Sequence, residues 1–322
     1  MAKVVVTGAA GMIGAELARR CRDRGDEVVG VDLLPVDLPG VEPVVMDIGG
    51  AGPSGPGWAP VLAGADLVIH AAAIVAESGD RGRFVTVNVH GTRSVVTAAA
   101  AAGVGRVVHI SSIVIYGGSY APGAMLDEDA PAVPTGGPYT DTKIAAEHAA
   151  LQVAAATGVP LTIVRPGDVY GPRSVPWVLR PVELLRRGWF VLVDGGRWPL
   201  SPVHVDDVVG GILLAADAPA AAGRSYNLAG GQVPCTTFFG HHERYVGTSA
   251  RSLPRAAARA AASTVRFGAQ AIGREAPFGP EAIEYVSHPG GYATVRARTE
   301  LGWSPRVELA EGLARSFSDM PG

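Results

Sequence analysis

Short, almost continuous runs of apolar residues, rich in valine and isoleucine, recur along the first half of the chain. Such runs are typical of strands that are buried on both faces of a sheet. Six are predicted, at residues 3–7, 27–31, 43–48, 66–70, 106–110 and 161–164. Stretches with helical periodicity, such as residues 81–102, lie between them. The alternation predicts an α/β fold with a doubly wound parallel sheet and a ligand at the carboxyl ends of the strands.

After residue 170 this regular alternation is lost. The pattern beyond it predicts helices at 176–187, from Asp206 onward and at 254–273, and strands at 190–193, 202–204 and 225–228. The 254–273 segment is amphipathic and rich in Ala and Arg. We therefore expect a first domain over residues 1–170, to which residues 203–230 return. Residues 171–322 are expected to form a smaller, mostly helical substrate-binding region.

A glycine-rich turn joins the first predicted strand to the first helical segment. Its glycines are Gly8, Gly11 and Gly14. In this setting Gly8 permits the tight turn, Gly11 lets a pyrophosphate approach the backbone, and Gly14 lets the helix pack on the strand. The helix N-terminus, with Met12 and Ile13, then faces the anion. The turn predicts a dinucleotide site in a Rossmann fold.

Acidic residues end the second and third predicted strands. Asp32 follows the glycines by about 20 residues, where a carboxylate binds an adenosine ribose and repels a 2′-phosphate. No arginine follows in residues 33–35, which favours NAD over NADP. Asp47, next to Ile48, is placed to meet the adenine amine. The sequence thus predicts NAD as the cofactor.

Tyr139 and Lys143 lie four residues apart in a segment that Pro138 can open as a helix, so they share one helix face. The spacing alone also fits a solvated face or a buried core tyrosine. An ammonium beside a phenol stabilises the phenolate, and Ser112 ends the fifth predicted strand at the same edge. These residues predict acid–base catalysis by Tyr139, with Ser112 orienting the substrate oxygen and Lys143 also holding the nicotinamide ribose.

Composition excludes several other classes of protein. A formal net charge of −3 over 322 residues, without a Lys/Arg cluster, gives no case for nucleic-acid binding. Cys21 and Cys235 form neither a disulfide framework nor a metal set, and the adjacent His241 and His242 point in different directions in a helix. No uncharged apolar run reaches the roughly 18 residues of a membrane span. The chain begins directly with a strand pattern, so we expect a cytoplasmic protein.

These motifs resemble those of the extended short-chain dehydrogenase/reductases, the NAD-dependent epimerase/dehydratase superfamily. The likeness covers residues 3 to 231 and extends to the C-terminus through Leu301-Gly302-Trp303. The matching motifs, in the family's order, are Thr7-Gly8-x-x-Gly11-x-x-Gly14, Asp47-Ile48, His70-Ala71-Ala72, Asn88-Val-His-Gly91-Thr92, Ser111-Ser112-x-x-x-Tyr116-Gly117, Tyr139-x-x-x-Lys143, Arg165-Pro166-x-x-Val169-Tyr170-Gly171-Pro172 and Val203-His204-Val-Asp206-Asp207-Val208.

The resemblance implies an NAD-dependent enzyme with Ser112, Tyr139 and Lys143 as its catalytic set. Asn88 would support the cofactor pocket. From motifs and resemblance together, the expected cofactor contacts are Gly8, Gly11, Met12, Ile13, Gly14, Asp32, Asp47, Ile48, Ala71, Ala72, Ala73, Asn88, Tyr139, Lys143, Pro166, Gly167 and Val169, with no metal. Family habit and two Ala-rich helix faces also suggest a homodimer.

Two departures from the family pattern narrow the expected reaction. Dehydratases of this superfamily carry an Asp-Glu pair directly after the catalytic hydroxyl residue, whereas this chain has Ile113 and Val114. Asp168 stands where many sugar-nucleotide enzymes have Asn, which puts that polar contact in doubt. A looser likeness to the 3β-hydroxysteroid dehydrogenase-like branch rests on residues 224–228 and 251–254.

Three functions remain in competition. The first is an NAD-dependent oxidoreductase that interconverts a secondary alcohol and a ketone on a fairly apolar, sterol-like or other hydrophobic small molecule. The second is a nucleotide-sugar epimerase with the same site, tightly bound NAD and cationic groups for a diphosphate, for which Arg173, Arg251 and Arg296 are candidates. The third is a non-catalytic NAD-sensing protein, which the retention of both Tyr139 and Lys143 disfavours.

Overall fold

The computed structural model describes residues 1–50, 57–76, 78–118, 121–271 and 279–320. Fifteen strands lie in these ranges. In chain order they are β1 (Lys3–Thr7), β2 (Glu27–Asp32), β3 (Glu42–Val45), β4 (Leu67–His70), β5 (Arg106–Ile110), β6 (Met125–Leu126), β7 (Leu161–Pro166), β8 (Asp168–Tyr170), β9 (Val191–Val193), β10 (Pro199–Leu200), β11 (Pro202–His204), β12 (Ser225–Leu228), β13 (Val233–Pro234), β14 (Arg251–Leu253) and β15 (Gly291–Tyr292).

Twelve α-helices accompany these strands in the same ranges. They are α1 (Met12–Asp23), α2 (Trp58–Leu62), α3 (Arg81–Phe84), α4 (Thr92–Ala101), α5 (Pro138–Thr157), α6 (Arg180–Arg186), α7 (Val205–Asp217), α8 (Cys235–Val246), α9 (Arg255–Ala271), α10 (Pro280–Tyr285), α11 (Val295–Leu301) and α12 (Leu309–Ser318). Two π-helical segments, Val85–Gly91 and Val175–Leu179, and three short 3₁₀ turns complete the secondary structure.

Seven strands form one parallel sheet in the order β12-β7-β5-β4-β1-β2-β3. The register pairs Thr7 with both Val31 and His70, and His70 with His109. The strand order reverses between β1 and β4, so the connections leaving these two strands diverge. A crevice at such a switch point is where doubly wound sheets bind their ligands. The predicted doubly wound Rossmann fold is confirmed.

Helices cover both faces of this sheet. On one face α1 and α7 pack against each other, and their buried side chains include Leu17 and Val208. On the other face α4 packs on α5, with Val95 and Ala150 in the core. The sheet is therefore buried on both sides, as the unbroken apolar runs of its strands predict.

Two elements predicted within the first 110 residues differ from the structure, and the helix predicted over 176–187 is in fact the π-helical segment Val175–Leu179 followed by α6. The third strand ends at Val45 instead of residue 48, because the Asp47 side chain accepts a hydrogen bond from Gly49 N–H at 2.9 Å and closes a turn. The helix predicted over 81–102 contains the π-helical segment Val85–Gly91 between α3 and α4. A π insertion leaves the hydrophobic pattern of the flanking helix almost unchanged, so periodicity does not reveal it.

The later part of the chain forms short ribbons and helices around an aromatic core. Phe238, Phe239 and Trp177 pack there with Phe317 of α12. Predicted strands 190–193, 202–204 and 225–228 correspond to β9, β11 and β12, and β12 joins the large sheet beside β7. The predicted helix 254–273 corresponds to α9, and its last two residues lie outside the described ranges.

Asp207 of α7 holds the C-terminal segment against the helix layer that α7 forms with α1. Its two carboxylate oxygens accept the N–H groups of Arg306 and Val307 at 2.9 and 3.0 Å. Its carbonyl accepts the indole N–H of buried Trp303 at 2.8 Å. None of the helices in the described ranges combines the length and the apolar character that crossing a membrane requires.

Candidate active site

The glycine turn after β1 has no room for larger side chains at two of its positions. Gly8 has φ of +76°, and a Cβ atom there would lie 2.7 Å from the backbone nitrogen of Ala72. A Cβ on Gly14 would lie 2.0 Å from the carbonyl oxygen of Gly8. Glycine is therefore required for the turn itself and for the close packing of α1 on it.

The N-terminus of α1 is open to an anion. Gly11 is its N-cap residue, no side chain caps the helix, and no acidic residue lies in its first turn. The first N–H groups of the helix, at Met12 and Ile13, have no carbonyl partner within the helix and point along its axis. This geometry fits the pyrophosphate of a dinucleotide.

Asp32 is the last residue of β2, and Asp47 lies two residues after β3 at the same edge of the sheet. The Asp32 carboxylate accepts the N–H groups of Ala10 and Leu34, both at 3.0 Å, which holds the glycine turn to the end of β2. Each carboxylate oxygen retains acceptor capacity for a ribose hydroxyl. Asp47 is exposed, whereas Ile48 is buried.

The segment after β4 packs directly beside the glycine turn. Ala71 N–H donates to the Thr7 carbonyl at 3.1 Å, and Ala72 N–H reaches the Thr7 hydroxyl at 3.4 Å. Ala71, Ala72 and Ala73 are half-buried at the switch point. Their small side chains leave the crevice between β1 and β4 open to a flat cofactor.

Asn88 ties this segment to the helix that carries Tyr139. It lies in the π-helical segment, and its side-chain oxygen accepts Ile74 N–H at 2.7 Å. Its amide nitrogen donates to the Ile74 carbonyl at 3.2 Å and to the Thr142 hydroxyl at 3.1 Å. Asn88 is 2 % exposed, so all of its hydrogen bonds come from the protein. π insertions are frequent at functional sites, and this one carries the buried Asn88 that joins Ile74 to Thr142 of α5.

Pro138 opens α5, as the sequence predicts, with Gly137 as the N-cap residue. The Lys143 ammonium donates to the Ile110 carbonyl at the end of β5 at 2.8 Å. The Ser112 side chain lies close enough to the Tyr139 phenol to lower the pKa of that phenol. The structure therefore brings Ser112, Tyr139 and Lys143 together at one edge of the sheet.

Burial perturbs both ionisable groups of α5. It raises the pKa of Tyr139 to about 12, and the polar side chain of Ser112 opposes this increase. It lowers the pKa of Lys143 to about 8, and the Glu147 carboxylate opposes this decrease. Tyr139 therefore rests as a neutral phenol, and its phenolate requires a nearby cation. Perturbed acids and bases in a crevice are typical of catalytic sites.

The strand-end residues Pro166, Gly167 and Val169 lie along the same edge. Pro166 ends β7 and pairs with Leu228 of β12. Gly167 N–H donates to the Leu228 carbonyl at 2.9 Å, and a Cβ at Gly167 would lie 2.7 Å from the Ser201 carbonyl oxygen. This close backbone approach explains why a glycine stands at position 167.

A buried ion pair behind α5 was not predicted from the sequence. Arg165 donates to both Glu147 oxygens at 3.0 and 2.8 Å, and also to the Tyr116 hydroxyl and the Glu128 carbonyl at 3.0 Å. Tyr116 in turn donates to Asn227 at 2.8 Å. Glu147 lies four residues after Lys143, a spacing that would have indicated its proximity.

Asp168 is a second buried carboxylate with specific partners. It accepts Ser201 N–H at 2.7 Å and the hydroxyl of Tyr285 from α10. Burial raises its pKa to about 6, and the Tyr285 and Ser201 hydrogen bonds oppose this increase. The polar contact that the sequence placed in doubt is thus made to a tyrosine of the C-terminal region.

The two adjacent histidines pack in different ways. His242 is buried, and its ring nitrogens lie 2.8 Å from the Trp177 carbonyl and 3.3 Å from the Phe238 carbonyl. His241 is half-buried on the surface of α8. Among the residues that the structure describes, no three His, Cys, Asp or Glu side chains are grouped for metal binding.

Comparison with known proteins gives the same picture. Residues 4–229 match the model of the NAD dependent epimerase/dehydratase family. A dTDP-glucose 4,6-dehydratase from Streptomyces griseus is 32% identical over 98% of this chain and 93% of its own length. A 3-beta-hydroxysteroid dehydrogenase from Mycolicibacterium neoaurum is 27% identical over 98% of this chain and 90% of its own.

Two further similarities concern a ketoreductase and a solved structure. A 4-hydroxy-2-methyl-3-oxo-4-farnesyl-3,4-dihydroquinoline-1-oxide ketoreductase from Stigmatella aurantiaca is 32% identical over 78% of this chain and 76% of its own. The structure of MoeE5 in complex with UDP-glucose and NAD has a TM-score of 0.78 and 26% identity, covering 98% of this chain and 97% of that one. The glycine turn and the open α1 N-terminus fit the NAD that such structures contain.

Proposed function

Because the chain belongs to the NAD-dependent epimerase/dehydratase family, we propose that it interconverts a secondary alcohol and a ketone on a fairly apolar small molecule. The observation that carries this proposal is the grouping of Ser112, Tyr139 and Lys143 beside the crevice between β1 and β4. Bound NAD supplies hydride-transfer chemistry in this family.

The chain's own residues would hold the substrate and move its proton. Ser112 hydrogen-bonds the substrate oxygen and orients it toward Tyr139. Tyr139 accepts the hydroxyl proton during oxidation and donates it during reduction. The Lys143 ammonium stabilises the phenolate that oxidation requires, and it also holds the nicotinamide ribose. Positioned proton transfer of this kind contributes about 10² to 10⁴ in rate.

Asp168 and Tyr285 support a substrate without a diphosphate. A carboxylate at this position repels an anion, whereas an asparagine amide would donate to one. The Tyr285 hydroxyl and Ser201 N–H each donate to one of the two carboxylate oxygens of Asp168. This part of the site therefore offers no cationic or amide donor to a nucleotide sugar.

The arginines considered for a substrate diphosphate are placed unfavourably for that role. Arg296 donates to Asp129 at 2.7 Å and lies 3.8 Å from Glu128, so its charge is neutralised. The Arg173 side chain donates to the Ala10 carbonyl of the glycine turn, and Arg251 is exposed on β14. Their placement favours a neutral substrate.

Dehydration lacks its expected acid and base. Ile113 is fully buried, and Val114 N–H donates to the Ser112 hydroxyl oxygen at 3.3 Å. Neither side chain can transfer a proton. The chain is similar to a dehydratase in sequence, but positions 113 and 114 lack the carboxyl groups that elimination of water requires.

A nucleotide-sugar epimerase is the second candidate, favoured by the likeness to a UDP-glucose complex. It would interconvert two sugars without net change in NADH. A panel of apolar secondary alcohols and UDP-sugars, followed by NADH absorbance and product chromatography, separates the two functions. NADH formation with an alcohol supports the first, and sugar interconversion at constant absorbance overturns it.

We also propose that the site is built from two regions, residues 1–170 with 203–230, and the remaining residues from 171 to 322. A homodimer through α4 and α5 is proposed as well, since Leu151 is exposed on α5. Light scattering at several protein concentrations tests it, and a monomeric mass throughout would contradict it.

A further inference from the structure

The chain leaves the strand-end region through a tight turn at residues 171–174. Ser174 N–H donates to the Gly171 carbonyl at 3.1 Å, and its buried hydroxyl donates to the Val169 carbonyl at 3.0 Å. Arg173, within this turn, has φ of 67°. Residues other than glycine rarely adopt this left-handed backbone conformation. When they do, they are often found at functional sites and ligand clamps.

The side chain of Arg173 reaches across to the glycine turn. Its Nη2 donates to the carbonyl oxygen of Ala10 at 2.8 Å, although the two residues are 163 positions apart. Asp32 accepts the N–H group of the same Ala10 at 3.0 Å. The middle of the glycine turn is therefore held from one side by an acid on β2 and from the other by Arg173.

Arg173 carries a positive charge that no carboxylate in the described ranges neutralises, and it is exposed. By contrast, Arg20 on α1 pairs with Glu16 and Asp206, and Arg315 on α12 pairs with Asp206. A guanidinium matches the geometry of phosphate oxygens and binds them with charge-assisted hydrogen bonds.

We propose that Arg173 closes over the pyrophosphate of bound NAD, opposite the N-terminus of α1. The contact with Ala10 positions the guanidinium beside the turn, and its remaining N–H groups would donate to the phosphate oxygens. The residue lies two positions before the π-helical segment Val175–Leu179, so it couples the start of the substrate-binding region to cofactor binding. This role concerns the cofactor and does not depend on which substrate the enzyme uses.

Calorimetric titration of Arg173→Ala with NAD⁺, ADP-ribose and adenosine tests the proposal. Loss of one charge-assisted phosphate contact should weaken binding of NAD⁺ and ADP-ribose by about tenfold or more. Adenosine, which lacks phosphates, should bind both proteins equally. Arg173→Lys should retain part of the affinity because it keeps the charge.

Two further variants distinguish the proposed contact between Arg173 and the pyrophosphate from a general loss of charge or of backbone strain. Arg93→Ala removes an exposed arginine on α4 and should leave all three affinities unchanged. Arg173→Gly should weaken NAD⁺ binding as much as Arg173→Ala does. Its melting temperature should be higher than that of Arg173→Ala, since glycine adopts a positive φ without strain. Unchanged NAD⁺ affinity in Arg173→Ala, or an equal loss for adenosine, would overturn the proposal.

Discussion

The ammonium of Lys143 donates to the carbonyl oxygen of Ile110 at 2.8 Å, which fixes α5 to the end of β5. Ser112 follows two residues after that carbonyl, and Tyr139 lies one helical turn before Lys143. One hydrogen bond thus sets the distance between the helix that carries the phenol and the strand end that carries the hydroxyl. The geometry of the proposed acid–base group depends on this buried contact.

Tyr139→Phe removes the hydroxyl that we propose as acid and base. We expect kcat to fall by about 10² to 10⁴, because the ring still packs but no proton can be transferred. NAD⁺ affinity should change little. Steady-state kinetics and calorimetry check both statements. Tyr245→Phe, on an exposed phenol stacked on Phe317, is the matched control and should keep full activity.

Lys143→Met should raise the stability of the fold and abolish turnover. Burial lowers the lysine pKa from 10.5 to about 8, so the folded protein binds fewer protons than the unfolded chain between these values. The cost of burying the ammonium is fully present below pH 8 and disappears as the pH rises toward 10.5. At pH 7 the variant should therefore be more stable by on the order of 3 kcal/mol, although turnover is lost.

Denaturant unfolding of both proteins at several pH values measures this difference. The stability advantage of Lys143→Met should shrink steadily between pH 8 and 10.5. An advantage that is independent of pH would show that the ammonium is not buried as a charge. A variant less stable than the natural protein at pH 7 would contradict the account of the site.

The Glu147–Arg165 pair should contribute strongly to stability. Glu147→Gln leaves a buried guanidinium without its bidentate partner, which should cost on the order of 3 kcal/mol. It should also lower the Lys143 pKa further, since Glu147 supports the ammonium. Glu183→Gln in the exposed Glu183–Arg187 pair is the control and should change stability by less than about 0.5 kcal/mol. Equal losses of stability in the two variants would contradict a strong contribution from the buried Glu147–Arg165 pair.

Two helical glycines should respond to alanine in opposite directions. In Gly14→Ala the new methyl group would lie 2.0 Å from the Gly8 carbonyl oxygen, so α1 must shift and NAD⁺ binding should be lost. Gly210→Ala places its methyl group in open space within α7 and should stabilise by about 0.5–1 kcal/mol. Thermal unfolding with and without NAD⁺ compares them. Normal NAD⁺ binding by Gly14→Ala would refute the packing argument.

The sequence was sufficient for the features that depend on local pattern. Buried parallel strands need continuous apolar runs, and a phosphate-binding turn needs glycines at fixed positions, so both can be recognised without coordinates. The spacing of Tyr139 and Lys143 indicated a shared helix face for the same reason. The grouping of these residues with Ser112 then followed from the common edge of a parallel sheet.

Contacts between distant segments could not be predicted in this way. Arg173 reaches Ala10 because the 171–174 turn has a left-handed residue that the sequence does not mark by a glycine. Tyr285 reaches Asp168 across 117 residues, through a helix of the C-terminal region. Such pairs depend on how the two parts of the chain pack, and neither residue carries a local signal for its partner.

The most direct test of the proposed reaction uses a secondary alcohol with deuterium on its carbinol carbon. After incubation with NAD⁺, mass spectrometry of the free nucleotide and of the product locates the label. The account predicts that deuterium appears in NADH in solution, in amounts equal to the ketone formed. A UDP-sugar with deuterium on the carbon that an epimerase would invert is tested in parallel. If no alcohol of an apolar panel gives labelled NADH, while this UDP-sugar is epimerised and keeps its deuterium, the enzyme is an epimerase and the account is wrong.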